Sequence, residues 1–290
     1  MKLKKFLCIA THLLLANCYS QSSASAGQND ARSAVQGSLP FDLVSGFLIV
    51  VQGQIGSMDG LRFIFDTGTT HTVIDTSMVN RLRLHRHRRS AKTVVFDKTI
   101  FVELAEIPEM RIGPLHAVSV SVGVAKLDEY SKLAQHVDGI IGLDLLSRNK
   151  SLTIDYEHKI VSFEISESES VSRTQSTCFI TRLYVQGLPV DLLVDTGLDG
   201  IILYRNRLRA RLPAMSLRSE LTDVWMGPLH LKQARIPDVR ISDASEERSV
   251  YLLDERPGST PPSLDGVFGP ATLHAKRIQF DFSAGVIRWE

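Results

Sequence analysis

Cysteine, net charge and long apolar runs are all scarce in this chain. Three cysteines in 290 residues cannot build a disulfide framework or a cysteine-rich zinc site. With 33 Lys and Arg against 32 Asp and Glu, the net charge is +1, which removes any global electrostatic attraction to nucleic acid. Two Trp, six Tyr and twelve Phe supply a core but no aromatic belt. The remainder is that of a folded globular protein, with 43% hydrophobic and 22% charged residues and room for two domains.

One apolar run is long, and it lies at the N-terminus. Lys2, Lys4 and Lys5 precede an apolar stretch from Phe6 to Ala16 that is too short to span a bilayer. Ala24-Ser25-Ala26 then gives the small-x-small pattern of a signal peptidase site. Residues 1–26 therefore read as a signal peptide, and the protein as exported: periplasmic, in the cell envelope, or secreted. Leu15-Ala16-Asn17-Cys18 also resembles a lipobox, with Asn17 where a small residue belongs. Membrane attachment is expected only if Cys18 is lipidated. Residues 27–44 are expected to be a flexible segment.

The rest of the chain repeats itself. Phe65-Asp66-Thr67-Gly68 recurs as Val194-Asp195-Thr196-Gly197, and Ile107-Pro108-Glu109-Met110-Arg111-Ile112 as Ile236-Pro237-Asp238-Val239-Arg240-Ile241, both at an offset of 129. Asp138-Gly139-Ile140-Ile141-Gly142 recurs as Asp265-Gly266-Val267-Phe268-Gly269 at 127. Ile154-Asp155-Tyr156 and Val161-Ser162-Phe163-Glu164 recur at 126. Five matches in one order do not arise by chance. Gly113-Pro114-Leu115-His116 is identical to Gly227-Pro228-Leu229-His230, but at an offset of 114, so it is read as coincidence. Lobes 45–165 and 177–290 follow, with the Ser/Glu-rich residues 166–176 as linker. Short β-branched and aromatic runs ended by Gly predict strands, and their spacing predicts a barrel-like or sandwich fold. Residues 93–104 predict a hairpin around Asp97-Lys98, matched in lobe 2 around Gly227-Pro228. Helical turns are expected at 143–147 and 271–274. The C-terminal strands 161–164 and 287–289 are expected to pair in a shared sheet.

One Asp-Thr-Gly per lobe puts two Asp in one chain. If the lobes pack about a pseudo-two-fold axis, Asp66 and Asp195 face each other. Carboxylates about 3 Å apart cannot both ionise, so they share a proton. The ionised member takes a proton from water while the protonated one donates to a scissile carbonyl oxygen. Gly68 and Gly197 allow close backbone approach, and Thr67 and Thr196 can each offer a hydroxyl to the opposite loop. The bland alternative is a pair of structural turn residues.

These residues resemble the aspartic protease superfamily, and more its bacterial retropepsin-like members than true pepsins. Phe65-Asp66-Thr67-Gly68-Thr69 and Val194-Asp195-Thr196-Gly197-Leu198 match the catalytic loops. Ile140-Ile141-Gly142 and Val267-Phe268-Gly269 match the family's hydrophobic-hydrophobic-Gly element, which packs behind each loop. The resemblance implies a mainly β fold of two homologous acid-protease-type barrel lobes related by a pseudo-two-fold axis. It implies an aspartic endopeptidase with a peptide or protein substrate, catalytic Asp66 and Asp195, loop support from Thr67, Gly68, Thr69, Thr196 and Gly197, and no cofactor or metal. A monomeric pseudo-dimer is expected, with paired chains as the alternative. Leu198 departs from the Ser or Thr of pepsin-like lobes; retropepsins place a small apolar residue there. The hairpin at 93–104 should be a flap, with Phe96 and Trp225 as its aromatics. The rival function is a non-catalytic envelope protein that binds peptides in the same cleft. The Arg81–Arg89 run reads as a solvated face, His71 as a cleft or surface residue, and Asp138 and Asp265 as backbone-bonding residues.

Overall fold

The computed structural model describes residues 37–95, 98–134, 136–165, 178–208, 218–224, 227–241, 244–254 and 263–290. The expected signal peptide, Cys18, the expected linker 166–176 and the expected flap aromatics Phe96 and Trp225 lie outside them. Lobe 1 holds β1 (Gly37–Pro40), β2 (Asp42–Val44), β3 (Leu48–Ile55), β4 (Met58–Phe65), β5 (Val73–Asp75), β6 (Arg86–Val95), β7 (Lys98–Ile112), β8 (Leu115–Ala125), β9 (Gly139–Ile141), β10 (Asn149–Asp155) and β11 (Ile160–Ile165). Lobe 2 holds β12 (Ile180–Val185), β13 (Leu188–Val194), β14 (Ile201–Tyr204), β15 (Arg218–Val224), β16 (Gly227–Ile241), β17 (Ala244–Leu253), β18 (Gly266–Phe268), β19 (Arg277–Asp281) and β20 (Val286–Trp289).

Each lobe closes into a six-stranded barrel. In lobe 1 the ring runs β3-β4-β9-β5-β8-β7 and is sealed by β3–β7 pairing. In lobe 2 it runs β12-β13-β18-β14-β17-β16 and is sealed by β12–β16. Closure removes the open edges that a flat sheet would present. Local sequence sets the turns: Gln186 (φ 51°) and Gly187 (φ 76°) give β12–β13 the two-residue, positive-φ connection whose twist suits a hairpin. Inside the barrels, Ile49, Val51, Phe63, Ile107, Leu192, Ile202 and Ile236 are buried.

A third sheet, β1-β11-β10-β19-β20, joins the lobes. The shared sheet is there, but β10 and β19 meet at its centre and β11 and β20 flank them, so the expected pairing of 161–164 with 287–289 is corrected. The reason is burial: Leu152, Ile154, Ile278 and Phe280 on the central strands are fully enclosed. The register Leu152↔Phe280, Thr153↔Gln279, Ile154↔Ile278 is symmetric at an offset of 126, with Thr153 facing its own equivalent Gln279. The pseudo-two-fold axis passes through that pair.

Three further expectations change. Residues 37–44 are strands rather than flexible chain, because Leu39 and Phe41 are buried and β1 pairs with β11. In lobe 2, Gly227-Pro228 are not the hairpin's turn but pair with Val224 and Asp223 as the first residues of β16. Pro228 is tolerated because β17 joins β16 only from Lys232 onward, leaving that end of the strand an edge. Short helices also form at Thr76–Arg81, Asp128–Ala134 and Arg205–Leu208; the first is capped by the Asp75 carboxylate, which accepts from Ser77 N–H. The turns at Leu143–Leu146 and Pro270–Leu273 fall where the sequence put them.

Candidate active site

β4 and β13 end in the paired loops. Each strand is fully apolar as it reaches the loop, and Phe65 packs edge-on against Phe163 of the joining sheet at 6.1 Å. Beside β4 runs β9, parallel, with Phe65 opposite Ile141; beside β13 runs β18, with Val194 opposite Phe268. These neighbours hold the loops from behind. Ile141 C=O accepts from Asp66 N–H at 3.1 Å, and Phe268 C=O from Asp195 N–H at 2.9 Å. A side chain on Gly142 would press on Thr69 O and the His71 backbone at 2.8 Å, and one on Gly269 would overlap the Leu198 carbonyl. Glycine at both positions is a demand of this close packing.

The two loops exchange hydrogen bonds across the axis. Thr67 Oγ1 donates to Val194 C=O (3.0 Å) and accepts from Thr196 N–H (3.2 Å). Thr196 Oγ1 donates to Phe65 C=O (2.9 Å) and accepts from Thr67 N–H (3.1 Å). Each hydroxyl thus satisfies one donor and one acceptor of the opposite loop, and all four groups are buried. This lattice brings Asp66 and Asp195 together: both are fully buried, near enough that the charge of Asp66 raises the pKa of Asp195. Asp195 lies against Gly68, where an added Cβ would come 2.5 Å from Oδ2 and 2.7 Å from Oδ1.

The two carboxyls are held differently. Asp66 Oδ1 accepts from Gly68 N–H (2.8 Å) and Thr69 N–H (3.2 Å), and Oδ2 from the Thr69 hydroxyl (2.7 Å). Asp195 Oδ1 accepts from Gly197 N–H (2.7 Å). At the position of Thr69 lobe 2 has Leu198, whose N–H turns to Asp195 C=O. Burial pushes the Asp66 pKa up to about 6, against the pull of Thr69, Asp195 and the loop N–H groups. Burial and then the charge of Asp66 push Asp195 well above its ordinary value.

A further acid was missed in the sequence. Asp144, in the turn after Gly142, takes the Thr72 N–H (2.9 Å) and hydroxyl (2.8 Å) on one oxygen, and Thr72 Oγ1 accepts from Gly142 N–H. Burial raises its pKa. The repeat hid it, because the lobe 2 equivalents of Thr72 and Asp144 are Ile201 and Ala271.

The other expected residues lie apart from the dyad. Asp138 and Asp265 do the matched backbone work, accepting from Arg62 N–H (2.9 Å) and Asp191 N–H (3.1 Å). His71 Nδ1 lies 3.0 Å from Thr70 Oγ1. Within the basic run, Arg81 pairs with Asp138 and Arg86 with Glu103, while the His85 and His87 rings stack at 5.9 Å. Among the described residues, no three His, Cys, Asp or Glu side chains gather into a metal-holding group.

Comparison with known proteins adds two findings. Residues 51–145 match the aspartyl protease family model, a span that holds the first loop and Ile140-Ile141-Gly142. A retropepsin-like aspartic protease from Rickettsia conorii, known from its crystal structure, is 12% identical over 44% of this chain and 88% of that one, with a TM-score of 0.30. No curated protein matches the sequence. Residues 51–145 are thus similar to the aspartyl protease family, and the loop at Asp66 that lies within them recurs at Asp195.

Proposed function

We propose that this protein is an exported aspartic endopeptidase in which Asp66 and Asp195 activate water to hydrolyse peptide bonds of an extended substrate. The observation that carries the reading is the pair of fully buried carboxyls where two equivalent loops meet, with the Asp195 carboxyl set against Gly68 of the opposite loop. One carboxylate draws a proton from the attacking water. The other carboxyl protonates the scissile carbonyl oxygen, and the buried setting keeps the pair singly charged. The Thr67–Thr196 exchange fixes both loops, so little reorganisation is needed when charge develops. Both loops and the β10–β19 pairing come from one chain, which favours a monomer holding one site. Lys2, Lys4, Lys5 and the apolar run after them support export.

The test is incubation of the mature chain, residues 27–290, with an unfolded protein between pH 3 and 7. Cleavage is expected, with inhibition by a pepstatin-like transition-state mimic. Asp66→Asn and Asp195→Asn should each reduce kcat/KM by about 10²–10⁴-fold or more. Peptide binding without cleavage at any pH would favour the envelope binder instead. Activity that falls on dilution, with a dimer on sizing, would refute the single-chain site. Cell fractionation with residues 1–26 present and deleted checks export.

A further inference from the structure

We propose that this chain assigns its acid and its base before a substrate arrives, Asp66 holding the charge and Asp195 the proton, and that Thr69 and Leu198 are the positioning residues that fix the assignment. The inference deepens the proposed function and rests on it for its catalytic meaning.

The argument starts from the break in symmetry. The loop glycines, whose N–H groups each bond the preceding Asp, and the threonine exchange are the same in both lobes, so they favour neither carboxyl. What differs is the residue after each Gly. Thr69 gives Asp66 a hydroxyl at 2.7 Å and an N–H at 3.2 Å. These donors meet a carboxylate, and hydrogen bonds to a charged acceptor are about twice as strong as neutral ones. In a buried site they lower the cost of charge where water cannot. Leu198 is fully buried and has no hydroxyl to give, so lobe 2 offers less to an anion. The proton therefore rests on Asp195, which donates it to Asp66.

Charged groups also stand around the loops. On the lobe 1 side stand His71 and buried Asp144, with Arg148 beyond it. On the lobe 2 side Asp199, next to Leu198, is exposed. None of these is altered by exchanging the hydroxyl of Thr69, which isolates its effect. A carboxyl followed by Leu instead of Thr in its loop also keeps its proton to higher pH, so the singly protonated state extends upward. A lobe with Thr at 198 would lose that proton earlier.

The experiment follows the carboxyl carbons by NMR in the mature chain labelled at Asp. Asn mimics a neutral carboxyl, so Asp195→Asn reports Asp66 and Asp66→Asn reports Asp195. Asp66 should titrate at least about one pH unit lower than Asp195, a tenfold difference in proton affinity. In the Asp195→Asn background, Thr69→Val should raise the Asp66 midpoint by about one unit, and Thr69→Ser should leave it in place. In the Asp66→Asn background, Leu198→Thr should lower the Asp195 midpoint. Equal or reversed midpoints, or a Thr69→Val midpoint that does not move, overturn the assignment. If Leu198→Thr does not fold, the Thr69 series decides alone. Cleavage assays on the parent chain report on the proposed function and the midpoints on the charge assignment, so either can fail without the other.

Discussion

Burying two acids against each other should make the native protein less stable at neutral pH than at mildly acid pH. A carboxyl whose pKa rises on folding holds its proton in the native state after the unfolded chain has released it. Between its unfolded and folded pKa values, raising the pH therefore costs native stability. For Asp66 the interval runs from an ordinary 3.8 to about 6. At about 1.4 kcal/mol per pH unit, that is about 3 kcal/mol lost between pH 4 and 7. Asp195, also raised on folding, acts with the same sign. Replacing both by Asn removes the titration, so the double variant should gain at least about 3 kcal/mol over the parent at pH 7 relative to its position at pH 4. Urea unfolding of both proteins at several pH values measures the difference. Other carboxyls oppose the trend: for Asp155, burial is outweighed by the His158 N–H and Arg277, which bring it down to about 2. They cancel in the comparison. A gap between variant and parent that stays constant from pH 4 to 8 would refute the reasoning.

Two more outcomes follow from the geometry. Gly68→Ala should abolish cleavage, because the new Cβ would displace the Asp195 carboxyl; full activity in the purified variant would show that the loops move apart freely. Thr67→Val leaves Val194 C=O and Thr196 N–H without their partner and should cost about 1–3 kcal/mol by thermal or urea unfolding. Thr196→Val should cost the same, and the double variant less than the sum, since both break one lattice; strict additivity would argue against a shared network.

How much of this was legible in the sequence depended on whether both lobes carried the same solution. Asp66 with Asp195, Ile141 with Phe268 and Asp138 with Asp265 were visible because the backbone task is identical on both sides: a parallel neighbour strand whose carbonyl takes the Asp N–H, and an acid that ties Arg62 or Asp191. The repeat located each without any knowledge of the barrel. Where the lobes solve a task differently, the repeat was silent. Thr72 and Asp144 support the first loop with polar bonds, while Ile201 and Ala271 fill the matching positions with apolar atoms.

Long-range pairing was legible only in outline. Strands at 161–164 and 287–289 were read as the join because their ends match, yet the join is made by β10 and β19. Nothing local separates them: all four strands alternate apolar and polar residues, and Val161 and Phe163 of β11 are as buried as Leu152 and Ile154 of β10. The turn expected at Gly227-Pro228 failed for the opposite reason. Gly-Pro is a strong local turn signal, but the hairpin register of β15 and β16 overrode it and drew Gly227-Pro228 into the strand. The repeat register held the answer, since Gly227-Pro228 map at an offset of 129 onto Lys98-Thr99, the first residues of β7. Two copies of one fold constrain each other more tightly than turn chemistry constrains either. That same mutual constraint makes the departure at Thr69 and Leu198 informative: in a site where backbone and glycines are duplicated, the one unequal side chain next to each carboxyl is what can tell the two acids apart.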